Sequence, residues 1–585
     1  MDKKIAGYLL ASLLDRTKNQ QVGTISGPES DALALAVHYL IGELAPAAAD
    51  APAEEARATS PERPASSGPS GTTQDWGASG QAAAAGTASV PSYASPPEVE
   101  LVLDSLQHKA PSGRDVLLCL DFGTAMSKAF ATSSGGDHLD LELGKAAGKE
   151  GYTLPSSVFI GDDGQAYFGY EAIEKSINAQ EAGRERLDSI KSWLSFREDG
   201  NLDAELLPKT YNPTDVRLTE GDLLRAYLAF LTDMTGVSLV ARDVEGKADA
   251  RYVRRRFARP CGKDQQQAQW VDSLMKGLLA EAQVLADTFS GQWAGGIPVS
   301  RLKAAIDALK RHGERPDHLV AEGVPEPVAV AATPIEVSEN RIDAYMVVDA
   351  GAGTTDFGLF FALRNQSLDE PKVFQVAASV RGLNYAGDKI DQLLQKFIMD
   401  RDSIDATTLQ GRIVALDLRR RIRVLKELLF KTGKLEYRLS DSTSGIITRE
   451  EFCSWGPVLK FAERLEQGFR EALDAVDDTY LDYLTMDPVR LQVILTGGSS
   501  SLPMLAALGR GYVEVRGRKI QRMPVDATPE WISRDAEEMR PVYPQLAVAI
   551  GGAAEELPST DDAPEQWIRA TRPSYVAGRL QITGA

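Results

Sequence analysis

Val116-Leu-Leu-Cys-Leu-Asp-Phe-Gly-Thr-Ala-Met-Ser-Lys-Ala-Phe130 reads as an apolar strand ending in Asp121, a turn built on Gly123 and Thr124, and a second strand. Ala344-Tyr-Met-Val-Val-Asp-Ala-Gly-Ala-Gly-Thr-Thr-Asp-Phe-Gly-Leu-Phe-Phe361 repeats the design. Its first strand ends in Asp349, its turn is built from Gly351, Gly353 and Thr354, and the next strand begins near Phe357. Small turn residues let backbone N–H groups approach phosphate oxygens, and threonine hydroxyls add further donors. The strand-end carboxylates would repel phosphate unless a partly hydrated Mg²⁺ lay between them. One such hairpin is an ordinary tight turn. Two of them imply a duplicated α/β fold with a ligand clamped between its halves.

A third element follows the pair. Leu491-Gln-Val-Ile-Leu-Thr-Gly-Gly-Ser-Ser500 is an apolar strand feeding the turn Gly497, Gly498 and Ser499, and Leu502-Pro-Met-Leu505 opens a helix. Bare glycines there let a flat base or a ribose lie against the backbone. Asp121-Phe-Gly and Asp356-Phe-Gly match a protein-kinase triplet, but no His-Arg-Asp loop precedes either. No Gly-Lys-Ser/Thr sequence occurs, which excludes a P-loop.

Composition narrows the partners. Acidic residues outnumber basic ones 83 to 64 in 585 residues, for a net charge of −19, the wrong balance for a nucleic-acid backbone. Two arginine-rich stretches, 251–259 and 419–423, alternate with apolar residues and read as wetted faces of strand or helix. Three cysteines, none at metal-ligand spacing, fit a reducing cytoplasm. No apolar run approaches the roughly 20 residues of a membrane span. The run Ile5 to Leu14 is followed by Asp15 and Arg16, without a cleavage site, and reads as a helix. Residues 1–45 carry two amphipathic helices, whose stripes include Leu9, Leu13, Val37 and Ile41. Residues 46–112 form an Ala/Pro/Ser-rich disordered linker, helix-prone near 99–106. Strand and helix patterns alternate over 113–556, and 557–585 reads as a tail, loose or packed on the surface.

The order of two Asp-Gly-Thr hairpins and a Gly-Gly-Ser turn resembles the actin, hexokinase and DnaK superfamily. The closer likeness is to the DnaK-like heat-shock branch, over roughly residues 113–556, with a longer interval between Arg259 and Glu326. Leu154-Pro-Ser-Ser-Val158 is similar to that branch's Pro-Ser strand, and Ser189-Ile-Lys-Ser-Trp-Leu194 to the segment carrying its catalytic lysine, which implicates Lys191. Val324-Pro-Glu-Pro-Val-Ala329 implicates Glu326, and Gly387-Asp-Lys-Ile-Asp391 matches another stretch of the family. The helix 419–431 resembles its nucleoside-gripping helix, with Glu427 and Lys431 toward ribose and base. Gln545 to Ala553 resembles its closing helix. The resemblance implies an actin-like fold of two ribonuclease-H-like lobes that binds ATP or ADP with Mg²⁺. Asp121, Glu326 and Asp349 would hold the hydrated ion, Lys191 would position the attacking water, and Thr124 and Thr354 would contact phosphates.

The chain departs from the family in four places. Ser501 stands where an adenine-stacking arginine is expected, Ala352 replaces a turn glycine, and Ala125 and Met126 replace polar or aromatic residues. No β-rich peptide-binding module is expected after Glu556. These features point to a slow, cytoplasmic ATP hydrolase acting as a nucleotide-dependent switch for a protein partner, not a peptide-clamping chaperone. The partner would engage the N-terminal helices or the outer lobes. Other readings are an actin-like filament (a homo-oligomer), a small-molecule kinase, or a pseudo-ATPase that binds nucleotide without turnover.

Overall fold

Both Asp-turn hairpins form where the sequence puts them. The computed structural model describes residues 99–560, apart from 109–110, 112–115, 134–135, 179–183, 197–200, 243–250, 262–264, 336–341 and 364–371, together with residue 568. The helices expected in 1–45 and the linker up to residue 98 lie outside the described residues, as does most of the tail.

The chain is mixed α/β. The first sheet contains β1 (Val116–Asp121), β2 (Met126–Ser133), β3 (His138–Asp140), β4 (Leu154–Pro155), β5 (Arg255–Arg259) and β6 (Val320–Pro325). Its order is β3-β2-β1-β5-β6, with β4 on β2; β1, β2 and β3 pair antiparallel and β1, β5 and β6 parallel. The second contains β7 (Ile342–Ala350), β8 (Thr355–Leu363), β9 (Lys372–Leu383), β10 (Leu491–Thr496), β11 (Gly511–Val515) and β12 (Arg518–Val525). Its order is β9-β8-β7-β10-β12-β11. Again two antiparallel pairings lead into two parallel ones, so five strands in each sheet follow one plan. β7 and β8 are buried along their whole length, which explains their apolar runs 344–348 and 357–363.

Two helices join the sheets. Helix α1 (Glu220–Arg242) and α2 (Gln265–Thr288) pack on the first sheet; α3 (Glu326–Ala331), then α4 (Gly387–Arg401), α5 (Leu409–Thr432) and α6 (Tyr543–Gly552) follow. A core built from Phe130 and Ala258 of the first sheet, and Tyr345 and Phe360 of the second, encloses α3 and α6. The two helices touch backbone to backbone. A Cβ on Gly551 would lie 1.7 Å from Ala329 O, so only glycine allows this approach. The contact seats α3, whose first residue is Glu326. Gly551→Ala is therefore expected to cost about 1–3 kcal/mol in denaturant unfolding, as overpacking of a tight contact does. A wild-type midpoint would show that the crossing relaxes freely.

Three expectations need correction. Helix α1 is long and apolar enough to cross a membrane, with mean hydropathy 1.3, although the sequence pattern suggests no such run. However, 83% of its most apolar window is buried in the first core. The segment near residue 100, read as linker, forms only a short helix at Asp104–Gln107 and packs Val99, Leu101 and Leu103 on that core. The arginines of 251–259 are not uniformly wetted: buried Arg255 donates to Gln283 Oε1 at 2.6 Å, and Arg251 pairs with Asp233 at 2.6 Å. Of the two readings of the tail, its start follows the packed one: Ser559 exchanges backbone bonds of 2.8 Å with Val373 and Gln375, and Ile568 lies in the second core.

Candidate functional site

The first turn is held from behind. Ser156 Oγ, just after β4, donates to Gly123 O at 2.6 Å and lies 2.9 Å from Ser127 Oγ. Tyr227 OH of α1 lies 2.9 Å from Ser127 Oγ and 3.0 Å from Pro155 O. The Pro-Ser motif thus buttresses the turn. The second and third turns hold each other: Ser499 N–H donates to Ala350 O at 2.9 Å and its hydroxyl to Gly351 O at 2.7 Å. Ser499, expected to face a ligand, spends its hydroxyl on this contact. Gly497 has φ 86°, and a Cβ there would lie 2.2 Å from Ala350 O, so the turn requires glycine.

These turns open onto one cavity of about 510 Å³. Among its lining residues are Asp121, Gly123, Thr124, Lys191, Glu326, Asp349, Gly351, Thr354, Glu427, Lys431, Gly497, Gly498 and Ser499, all singled out from sequence. Two expected members stand elsewhere. Gly353 packs on Thr124, where a Cβ would lie 2.8 Å from Oγ1, and faces a second cavity of about 420 Å³. Gly387 sits behind the turns, 2.6 Å from Ser499 Oγ by the same test, because its amide is tied to Gly351 O at 3.3 Å. All four departures noted above, Ala125, Met126, Ala352 and Ser501, also line the first cavity.

Charge is concentrated at one end. Lys191 Nζ meets Glu326 Oε1 at 2.5 Å, with side-chain exposures of only 9% and 8%. Burial opposes the lysine's charge, but Glu326 and Asp121 outweigh it and hold its pKa above the usual value. Lys128, unnoticed in the sequence, pairs with Asp121 at 2.9 Å. The two hairpins differ at the matching position. Asp121 lies opposite Lys128, whereas Asp349 lies opposite Asp356. Like charges in direct register are unfavourable. Burial, followed by Glu326, raises both Asp349 and Asp356 well above the carboxylate range, and at Asp349 the charges of Asp356 and Asp121 add to the effect. Asp349 accepts from Thr496 Oγ1 at 3.2 Å, and Asp356 Oδ2 is buried without a hydrogen-bond partner.

Two lysines thus face four carboxylates, and an orphaned carboxylate oxygen lies among them. That donor set, hard oxygens with excess negative charge, fits a divalent cation. Among the described residues no three His, Cys, Asp or Glu side chains converge as direct ligands. An ion there would be held through its water.

The other end is built by α5. Arg423 and Phe430 line the cavity alongside Glu427 and Lys431, as does Lys426, which bonds Gly387 O at 3.2 Å and Asp391 at 3.0 Å. Sequence spacing singles out Glu427 and passes over Lys426, which helical phase turns inward. Of the arginines expected on a wetted face, Arg419 is exposed and pairs with Glu185 at 3.2 Å, whereas half-buried Arg420 donates to Arg184 O at 2.5 Å, joining α5 to the loop before Lys191. From α6, Gln545 and Val548 close the cavity. Gly498 faces open space there, the nearest atom to a Cβ being Gln545 Cγ at 3.8 Å. Gly498→Leu is therefore expected to fold normally while filling the cavity.

Comparison with known proteins does not extend this picture: no family model matches the chain, and no curated protein matches it.

Proposed function

We propose that this chain is a Mg·ATP-binding ATPase with an actin-like, two-lobed, DnaK-like domain, working as a nucleotide-dependent switch on a protein partner. The observation that carries the reading is the cavity itself. Residues as far apart in sequence as Asp121 and Gln545 meet in it, with carboxylates and small turns at one end and α5 with the Gly-Gly turn at the other. The common strand plan of the two sheets supports the duplicated fold.

In this reading the turns at Gly123–Thr124 and Gly351–Thr354 take the phosphates, and Asp121, Glu326 and Asp349 stand around a hydrated magnesium. When bound, that ion supplies charge neutralisation on the phosphates. Lys191, oriented by Glu326, offsets the charge that develops at the transferred group and holds the attacking water. Phe430 and Gly498 flank the base, in place of the missing arginine at Ser501. Closure of the halves on ATP would be the signal a partner senses. The reading is tested by nucleotide titration of Gly498→Leu. A loss of about 3 kcal/mol, roughly a hundredfold in affinity, is expected with an unchanged melting temperature. Undiminished binding would place the nucleotide elsewhere.

One observation favours a second reading, a small-molecule kinase. The second cavity shares Thr124, Lys191 and Thr354 with the first and continues past them toward Ser189, Ser192, Asn384 and Asp388. An in-line attack on the terminal phosphorus approaches opposite the leaving group. Product analysis separates the two readings, because hydrolysis needs no acceptor besides water.

A further inference from the structure

Lys191 stands on a turn whose shape is imposed from across the cleft. It lies in the 3₁₀ turn Ile190–Ser192, preceded by Ser189 with φ 60° and ψ 31°, in the left-handed region that serine seldom adopts. The Ser189 side chain makes no capping bond to its own turn. Its hydroxyl donates instead to Asp388 Oδ2 at 2.7 Å, 199 residues along the chain.

Asp388 is itself firmly seated. It is the second residue of α4, and its amide donates to Ala352 O at 2.8 Å in the second phosphate turn. Its other carboxylate oxygen lies 3.4 Å from Arg423 Nη2. Arg423 lines the nucleoside end of the cavity and is largely buried, its charge sustained by Asp188, Asp388, Asp391 and Glu427. One aspartate therefore touches three things: the phosphate turn through its backbone amide, and the nucleoside wall at Arg423 and the lysine turn at Ser189 through its carboxylate.

We infer that Asp388 is a positioning residue, which fixes Lys191 through Ser189 and couples that placement to whatever Arg423 contacts. The chemical consequence rests on the proposed ATPase reading, but the positioning does not need nucleotide. No part of the relay touches the reacting atoms. Asparagine at 388 keeps an acceptor for the Ser189 hydroxyl. Alanine removes it, and glycine at 189 keeps the left-handed turn while losing the hydroxyl.

The test uses the full chain and Asp388→Ala, Asp388→Asn, Ser189→Gly and the Asp388→Ala/Ser189→Gly double variant. Each is labelled with N-hydroxysuccinimidyl acetate in the absence of nucleotide, and the labelling rate at each lysine is read by peptide mass spectrometry. Lys128, which lies on β2 and is held by Asp121 of β1, is the internal control. Asp388→Ala and Ser189→Gly are expected to raise Lys191 labelling about tenfold, the worth of one charge-assisted hydrogen bond, with Lys128 unchanged. Asp388→Asn should lie near wild type. The double variant should be no worse than the single ones, since both remove the same contact. Single-turnover hydrolysis should fall in the same order, by about tenfold to a hundredfold, with nucleotide affinity held within about threefold. Unchanged Lys191 labelling, or Lys128 rising in step with it, overturns the inference. The expected labelling pattern in a chain that binds no nucleotide would leave the positioning standing and remove the ATPase reading alone.

Discussion

Asp349→Asn is expected to weaken magnesium-dependent nucleotide binding by about 10- to 100-fold, while making the ligand-free chain more stable. Both effects come from one carboxylate placed opposite another. Asp349 faces Asp356 across the β7–β8 hairpin, with Glu326 and Asp121 nearby, and burial together with these charges raises its affinity for a proton. Asparagine can still accept from Thr496 and removes the repulsion. The stability gain carries a pH signature. A carboxyl whose folded pKa is raised costs nothing in acid, where it is protonated in both states. The cost appears above the ordinary carboxylate range and grows until the folded group also ionises. The advantage of the asparagine variant is therefore absent in acid and increases as pH rises through neutrality, to about 1 kcal/mol or more. Chemical denaturation across pH, without magnesium, measures it. A variant that is less stable than wild type at every pH would contradict the charge assignment.

Lys191→Ala should do the reverse to stability and more to rate. Its partner Glu326 is buried, so removing the lysine strands a carboxylate among three others. Breaking a buried pair on one side costs about 3–5 kcal/mol. If Lys191 offsets developing charge, single-turnover hydrolysis falls by about 10²- to 10³-fold. Nucleotide affinity should change far less, which separates a transition-state role from a binding one. The double variant Lys191→Ala/Glu326→Gln should recover part of the lost stability without recovering the rate. No such recovery would mean that the pair is not the source of the loss.

These two variants pull stability in opposite directions because the cluster holds more carboxylates than lysines. The imbalance is only partly legible in the sequence. Asp121 and Asp349 end apolar strands, and Lys191 and Glu326 sit in short motifs, so each declares itself locally. Lys128 and Asp356 lie seven residues after the two aspartates, single charges among the apolar and small residues of the returning strands. Only the hairpin register shows that one is a counter-charge and the other a like charge. Asp356 is also masked by its kinase-like triplet, which draws attention away from the carboxylate itself.

Helical phase accounts for the remaining differences in the site. On α5 the sequence offers Glu427 and Lys431 at helical spacing, and both reach the cavity. It provides no reason to prefer Lys426 or Arg423, whose inward direction depends on how α5 packs against α4. Gly387 looks like a ligand contact because of its motif, yet its amide is spent on Gly351. In the fold, the apolar runs 344–348 and 357–363 mark β7 and β8 correctly as buried strands. The same property is hard to see in α1, because Asp222, Arg225 and, in mid-helix, Asp233 break the run. Arg255 is the opposite case, a cation in a buried strand that sequence pattern assigns to solvent.

The most direct test of the account is magnesium-dependent ATP binding with single-turnover hydrolysis, on wild type beside Lys191→Ala and Asp349→Asn. The account predicts binding that requires magnesium and slow turnover, with rate lost in the first variant and affinity in the second. Absence of binding by any nucleotide, in folded protein with magnesium present, would contradict it.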